Sequence, residues 1–141
     1  MENTWKVKTS PVTGFMHFAL EDEGETVAKF HINPGDVRLV ARCQSVSEYL
    51  GDIHNRIPEN AAHADVLQFN DNLEIKFSEL LGYDVKETLF GNIPATAIMP
   101  DGSMFALKIM DAVIEHVLPE LQKRRAAQCS AVKKYTDRYT K

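Results

Sequence analysis

Apolar residues change their spacing once along this chain, at Asn33-Pro34-Gly35-Asp36, and that single change constrains the fold more than any other feature. Before it the period is two. Met16, Phe18 and Leu20 alternate with Phe15, His17 and Ala19, and then Ala28, Phe30 and Ile32 alternate with Val27, Lys29 and His31. Alternation of this kind puts one set of side chains on each face of a pleated strand. The acidic, glycine-containing link Glu21–Glu25 joins the two runs, which predicts a hairpin. Trp5 and Val7, flanked by Lys6 and Lys8, can supply a third strand, with Pro11 and Gly14 interrupting the chain between them. A lone hairpin is marginal in water, so this one is expected to pack on something.

After the change the spacing is helical. Leu39, Cys43, Val46, Leu50, Ile53 and Ile57 recur at steps of four and three. Asn33 or Asp36 is expected to cap this first helix, with Pro34 at its first position, and Pro58 to end it. A second stripe runs Ala62, Val66, Phe69, Leu73, Phe77, Leu80, with Gly82 as terminator. Asp84–Glu87 can add a short turn ended by Phe90-Gly91, and Asn92–Gly102 reads as a long loop. Ser103 is the expected cap of a third helix with the stripe Ala106, Met110, Val113, Val117, Leu121. Leu107, Ile114 and Leu118 widen that stripe beyond the arc of about 100° typical of a surface helix. This helix is therefore central or buried on two sides, the second side being a wall of the same chain or another subunit. Pro119 is expected to kink it. Beyond Leu121 the apolar pattern thins to Val132, Tyr135 and Tyr139, as in a protruding helix or a partly disordered tail.

The expected fold class is α+β: an N-terminal β-hairpin or small antiparallel sheet packed on a mainly helical body with three long helices. Residues 1–121 form one domain, with 1–32 as the hairpin region and 33–121 as the helical body, and 122–141 form a basic C-terminal extension. Leu50, Ile53, Phe69, Phe77, Met110 and Val113 are expected to be buried together. A length of 141 residues suits one such domain. With 44% hydrophobic and 26% charged residues, the composition is that of a globular protein. No apolar run approaches a membrane span, and the N-terminus lacks a hydrophobic signal core, so no membrane association is expected and the cytoplasm is the expected compartment. Cys43 and Cys129 form no CxxC pair, which suits a reducing environment.

The charge is polarised. Net charge is −4 overall, but Glu120–Lys141 carries about +5, which leaves about −9 on the rest. Such a basic end either offsets a helix C-terminal dipole or binds a partner.

The chemistry-bearing residues do not assemble into a motif. His17, His31, His54, His63 and His116 contain no HExxH, HxH or i, i+4 pair, although His17 and His31 can face each other across the hairpin. Cys43 falls on an apolar stripe, and Cys129 lies near Arg124, Arg125 and Lys133, which can lower a thiol pKa. Asp111 and Glu115 share a helix face, more often a solvated surface than an acid–base pair. Phosphate-binding glycine loops and known nucleic-acid-binding motifs are missing. The expectation is no enzyme, no cofactor and no metal, and the acidic body argues against nucleic acid as a partner.

Taken together, the alternating hairpin, the segment Phe30-His31-Ile32-Asn33-Pro34-Gly35-Asp36, the long helix after it, Leu80-Leu81-Gly82 followed by Lys86-Glu87-Thr88-Leu89-Phe90-Gly91, and a last helix with a Lys/Tyr-rich end resemble the tail assembly chaperones of tailed phages and prophages of Gram-positive bacteria. The resemblance covers most of the chain as an order of elements carried by short, degenerate motifs. It implies a small acidic protein that works in the host cell cytoplasm during virion assembly. Such a protein binds the tape-measure protein, keeps it soluble and recruits tail-tube subunits, without an active site. Other readings are a structural tail completion or connector protein, a nucleic-acid-binding regulator using Lys123–Lys141, and a small enzyme using Cys129 or His116.

For a chaperone, the expected partner-binding residues are Leu107, Ile114 and Leu118 as a groove for an amphipathic helix. Lys123, Arg124, Arg125, Lys133, Lys134 and Arg138 would hold acidic stretches, and Tyr135 and Tyr139 would anchor the contact. The wide arc of the third helix and the open hairpin edges also suggest a homo-oligomer.

Overall fold

The computed structural model describes residues 5–53 and 61–139. A three-stranded antiparallel sheet in the order β1-β2-β3 is built from β1 (Trp5–Thr9), β2 (Met16–Asp22) and β3 (Glu25–Ile32). Among the described residues, four helices follow: α1 (Leu39–Gly51), α2 (His63–Leu81), α3 (Phe105–Ala112) and α4 (Leu118–Tyr139). A five-residue π turn, Val113–Val117, joins α3 to α4. The α+β class expected from the periodicity is the class observed.

The alternation in the sequence becomes the two faces of the sheet. Register pairs Val7 with Phe18 and Phe18 with Phe30, so these three share the inner face with Trp5, Leu20, Ala28 and Ile32. Lys6, Lys8, His17, Ala19, Lys29 and His31 share the outer one. Phe18 and Phe30 stack at 4.6 Å, and Trp5 lies edge-on to both. Phe105 at the start of α3 stacks on Trp5 and meets Phe90 edge to face, and Phe90 does the same with Phe77 of α2. This aromatic chain ties sheet, loop and helices into one core. Aromatic pairs in such geometries contribute about 0.5–1.5 kcal/mol beyond their burial.

Several boundaries differ from the sequence expectation. The hairpin link is only Glu23-Gly24: the strands run into the acidic segment, and Asp22 pairs with Glu25. Both turn residues have positive φ, 51° and 84°, the mirror-image turn whose twist matches paired strands. The first helix begins at Leu39, not at Pro34, which is buried in the preceding turn. Asp36 accepts the N–H of Arg38 at 2.9 Å and pairs with the Arg38 and Arg42 side chains, so its carboxylate organises the turn that leads into α1. Gly51 is the last residue of α1; Ile57 and Pro58 lie outside the described residues. Ser103 does not cap α3. Its N–H and hydroxyl both donate to Asp101, and Met104 occupies the cap position. Pro119 is accommodated by the π turn immediately before it: Leu118 donates to the carbonyl of Val113, five residues back. The wider turn makes room for a ring that would otherwise crowd the carbonyl four residues earlier.

Other expectations hold. α2 spans the second stripe and ends on Gly82 in the left-handed conformation, φ 85°. Leu89 donates to Val85 in the short turn before Phe90. The predicted core gathers Phe69, Phe77, Met110 and Val113, while Leu50 and Ile53 are half-buried at its edge. Among the described residues, no helix is long and apolar enough to cross a membrane.

Candidate functional site

Two surfaces gather the chemistry-bearing side chains. The first is the flank of α3 and the length of α4. Ala106, Met110, Val113, Val117 and Leu121 are buried, and that burial fixes which side of the helix faces outward. Leu107 and Ile114 are exposed at 42% and 49%, and Leu118 is half-buried against the core. The wide arc is therefore one buried wall with an open apolar flank.

From Gln122 to Arg138 every residue except Arg124 is exposed, so α4 projects from the body by about 25 Å at 1.5 Å per residue. Lys123, Arg125, Lys133, Lys134 and Arg138 lie on this projecting part, and no carboxylate among the described residues pairs with them. Tyr135 and Val132 are exposed there too. Tyr139 is the last residue of α4, and its side chain falls outside the described atoms. Arg124 has a different place. Its Nε donates to Glu120 and its guanidinium to the carbonyl of Gly14, both at 2.9 Å, so it fastens the base of α4 to the β1–β2 connection.

The second surface is the outer face of the sheet, where His17 and His31 face each other across the hairpin as the alternation allowed, and where the lysines beside them were not singled out. Lys8, His17 and His31 form one cross-strand row, and Lys6, Ala19 and Lys29 the next. These rows line an open trough of about 610 Å³ with Tyr83 and Thr88 at one side. Lys6 pairs with Glu21 at 2.9 Å, whereas Lys8 and Lys29 have no carboxylate partner among the described residues. The His31 imidazole stacks on Tyr83, at 4.0 Å, and on Phe15, at 5.7 Å, and it lies 5.7 Å from His17. Burial pushes its pKa below the ordinary value, and the neighbouring His17 adds to the shift. The alternating lysines were a visible signal, but only strand register shows that they share one face.

The edge of β3 is closed by the segment after α2. The backbone N–H groups of Lys29 and His31 donate to the Thr88 carbonyl and the Tyr83 hydroxyl, and the Asn92 side-chain amide donates to the Val27 carbonyl. Only β1 is thus left as an open edge among the described strands, and it carries Lys6 and Lys8, residues that discourage edge pairing.

Among the described residues, the candidate catalytic side chains lie apart. Cys43 is buried, and desolvation pushes its thiol pKa up. Cys129 stands exposed on α4, while His116 lies edge-on to Phe18. Asp111 and Glu115 both face solvent. The buried carboxylate of Glu74 serves the local structure: its Oε2 accepts from the Asn70 side-chain amide and from the N–H of Ala95. No group of three or more metal-ligating side chains occurs among the described residues. Compared with known proteins, the chain matches no family, no curated protein and no solved structure.

Proposed function

We propose that this protein is a tail assembly chaperone of a tailed phage or prophage. It would bind the tape-measure protein in the host cytoplasm, keep it soluble and recruit tail-tube subunits, with no catalysis and no cofactor. The observation that carries this reading is α4: a long basic helix, exposed along most of its length, that projects from an acidic body beside the open apolar flank of Leu107 and Ile114. Exposed helix flanks with i, i+3, i+4, i+7 spacing are what an amphipathic client helix docks on. Exposed cations beside them speed encounter with acidic segments. The order of elements shared with such chaperones supports the same reading.

The test is co-expression with a tape-measure protein from the same gene cluster. The full chain should keep the client soluble and co-purify with it. Deleting residues 133–141 should weaken co-purification with the fold intact. Changing Leu107 and Ile114 to Asp should abolish it, and circular dichroism should show an unchanged helix content because both side chains are exposed. Equal client solubility with and without the chain would sink the proposal.

A further inference from the structure

We infer that the outer face of the sheet is a second binding site, which takes an extended acidic peptide segment of a partner protein with its carboxylates on Lys8 and Lys29 and an apolar side chain on Ala19. The site stands apart from α4 and does not depend on the chaperone reading.

The argument begins from register. Lys6, Ala19 and Lys29 lie side by side across the three strands, and Lys8, His17 and His31 in the adjoining row. Neighbouring strands are about 4.8 Å apart, so the Lys6 and Lys29 backbones are separated by about 10 Å. Ala19 between them has only a methyl group, and the aliphatic stems of the two lysines become the walls of a trough with a small apolar floor. An acidic protein is not expected to gather three lysines and two histidines on one sheet face. Lys8 and Lys29 also lack an internal counter-charge among the described residues, although the chain carries 20 Asp and Glu.

The spacing selects the ligand. A free phosphate is held by donors that converge on one point, but the N–H groups of Lys29 and His31 are spent on Thr88 and Tyr83 and the ammonium groups are spread along the trough. A linear polyanion fits better. In an extended peptide, every second side chain lies on the same face at intervals of about 7 Å, so carboxylates at positions i and i+4 can reach Lys8 and Lys29 while an apolar side chain at i+2 meets Ala19. Single-stranded nucleic acid has a similar charge spacing but also needs flat aromatic faces for its bases. Here the His31 ring is already stacked on Phe15 and on Tyr83. The net charge of −4 opposes a ligand charged at every residue more than one charged at every fourth.

The experiment is an amide-resolved NMR titration of the full chain, at low ionic strength, with a capped Glu-Ser-Ala-Ser-Glu peptide, whose extended form carries both glutamates and the alanine on one face. Shifts should map to 6–8, 17–19, 29–31 and Tyr83. The double variant K8E/K29E should weaken binding about tenfold, equivalent to about 1.4 kcal/mol. Ala19→Glu should block it by giving Lys6 and Lys29 an internal carboxylate. K133E/K134E should leave it unchanged. Shifts confined to α4, equal affinity in K8E/K29E, or equal binding of the same peptide with lysine in place of glutamate would each overturn the inference. Tighter binding of oligothymidylate or inorganic phosphate to the same amides would overturn it in favour of nucleic acid or a simple anion.

Discussion

The hydroxyl of Tyr83 accepts the backbone N–H of His31 at 2.9 Å while the two rings stack 4.0 Å apart with their planes 6° from parallel. One residue past the glycine cap of α2 thereby closes an edge of the sheet. Tyr83→Phe keeps the stack and removes the acceptor. It should cost about 1 kcal/mol, the net value of a typical hydrogen bond, read as a lower urea midpoint. The His31 amide should exchange faster with solvent. An unchanged midpoint with unchanged exchange would show that the hydroxyl is dispensable.

His31 also predicts a pH dependence. Its folded-state pKa lies below 6.5, first because of burial and then because of repulsion from His17. The unfolded chain therefore holds the proton more tightly than the folded one. The stability contribution is complete above pH 6.5 and is lost as pH falls through the folded pKa. The urea midpoint should decline over this window, and His31→Phe should flatten that decline. In an NMR titration His17→Gln should move the His31 pKa upward. A His31 that titrates at or above its ordinary value would contradict the account.

Glu74 is 7% exposed, and its carboxylate holds the N–H of buried Ala95 while the adjacent Asn70 accepts from Thr96. Glu74→Ala should cost about 1–3 kcal/mol, because the Ala95 N–H is left buried without an acceptor. Glu74→Gln retains a carbonyl oxygen and should cost distinctly less. Equal losses in thermal or urea unfolding would mean that the charge matters, not the acceptor.

Phe77 is fully buried on α2 and meets Phe90 edge to face at 5.8 Å. Truncation to Ala should cost about 3–5 kcal/mol. Domains of this kind are commonly stable by about 5–15 kcal/mol, so the variant should be marginal at room temperature. A loss below about 1 kcal/mol, as for an ordinary surface substitution, would deny Phe77 its central place.

The loop before α3 offers a backbone test. A Cβ on Gly91 would collide with the carbonyl oxygen of Glu87, which is main chain and cannot swing away. Gly91→Ala should cost about 1–3 kcal/mol, the range for overpacking. Gly24→Ala should be strained only by its positive φ, since nothing lies within reach of its Cβ. Comparing the two separates steric from conformational cost in the unfolding midpoint.

The sequence by itself determined the α+β class, the two-faced sheet, α2 with its glycine stop and the buried stripe of the last helices. Each follows from periodicity, because spacing along the chain alone decides which side chains share a face of one strand or one helix. Element ends were less legible, because they depend on which polar group wins a local hydrogen bond. Asp36 binds Arg38 and Arg42 and the helix waits until Leu39; Ser103 binds Asp101 and leaves the α3 cap to Met104. Tertiary structure alone decided that Arg124 fastens α4 to Gly14, that Tyr83 and Thr88 close the edge of β3, and that Lys8 and Lys29 line one trough. Those relationships join residues far apart in sequence, and no local pattern can specify a partner that only the packing of sheet on helix brings within reach.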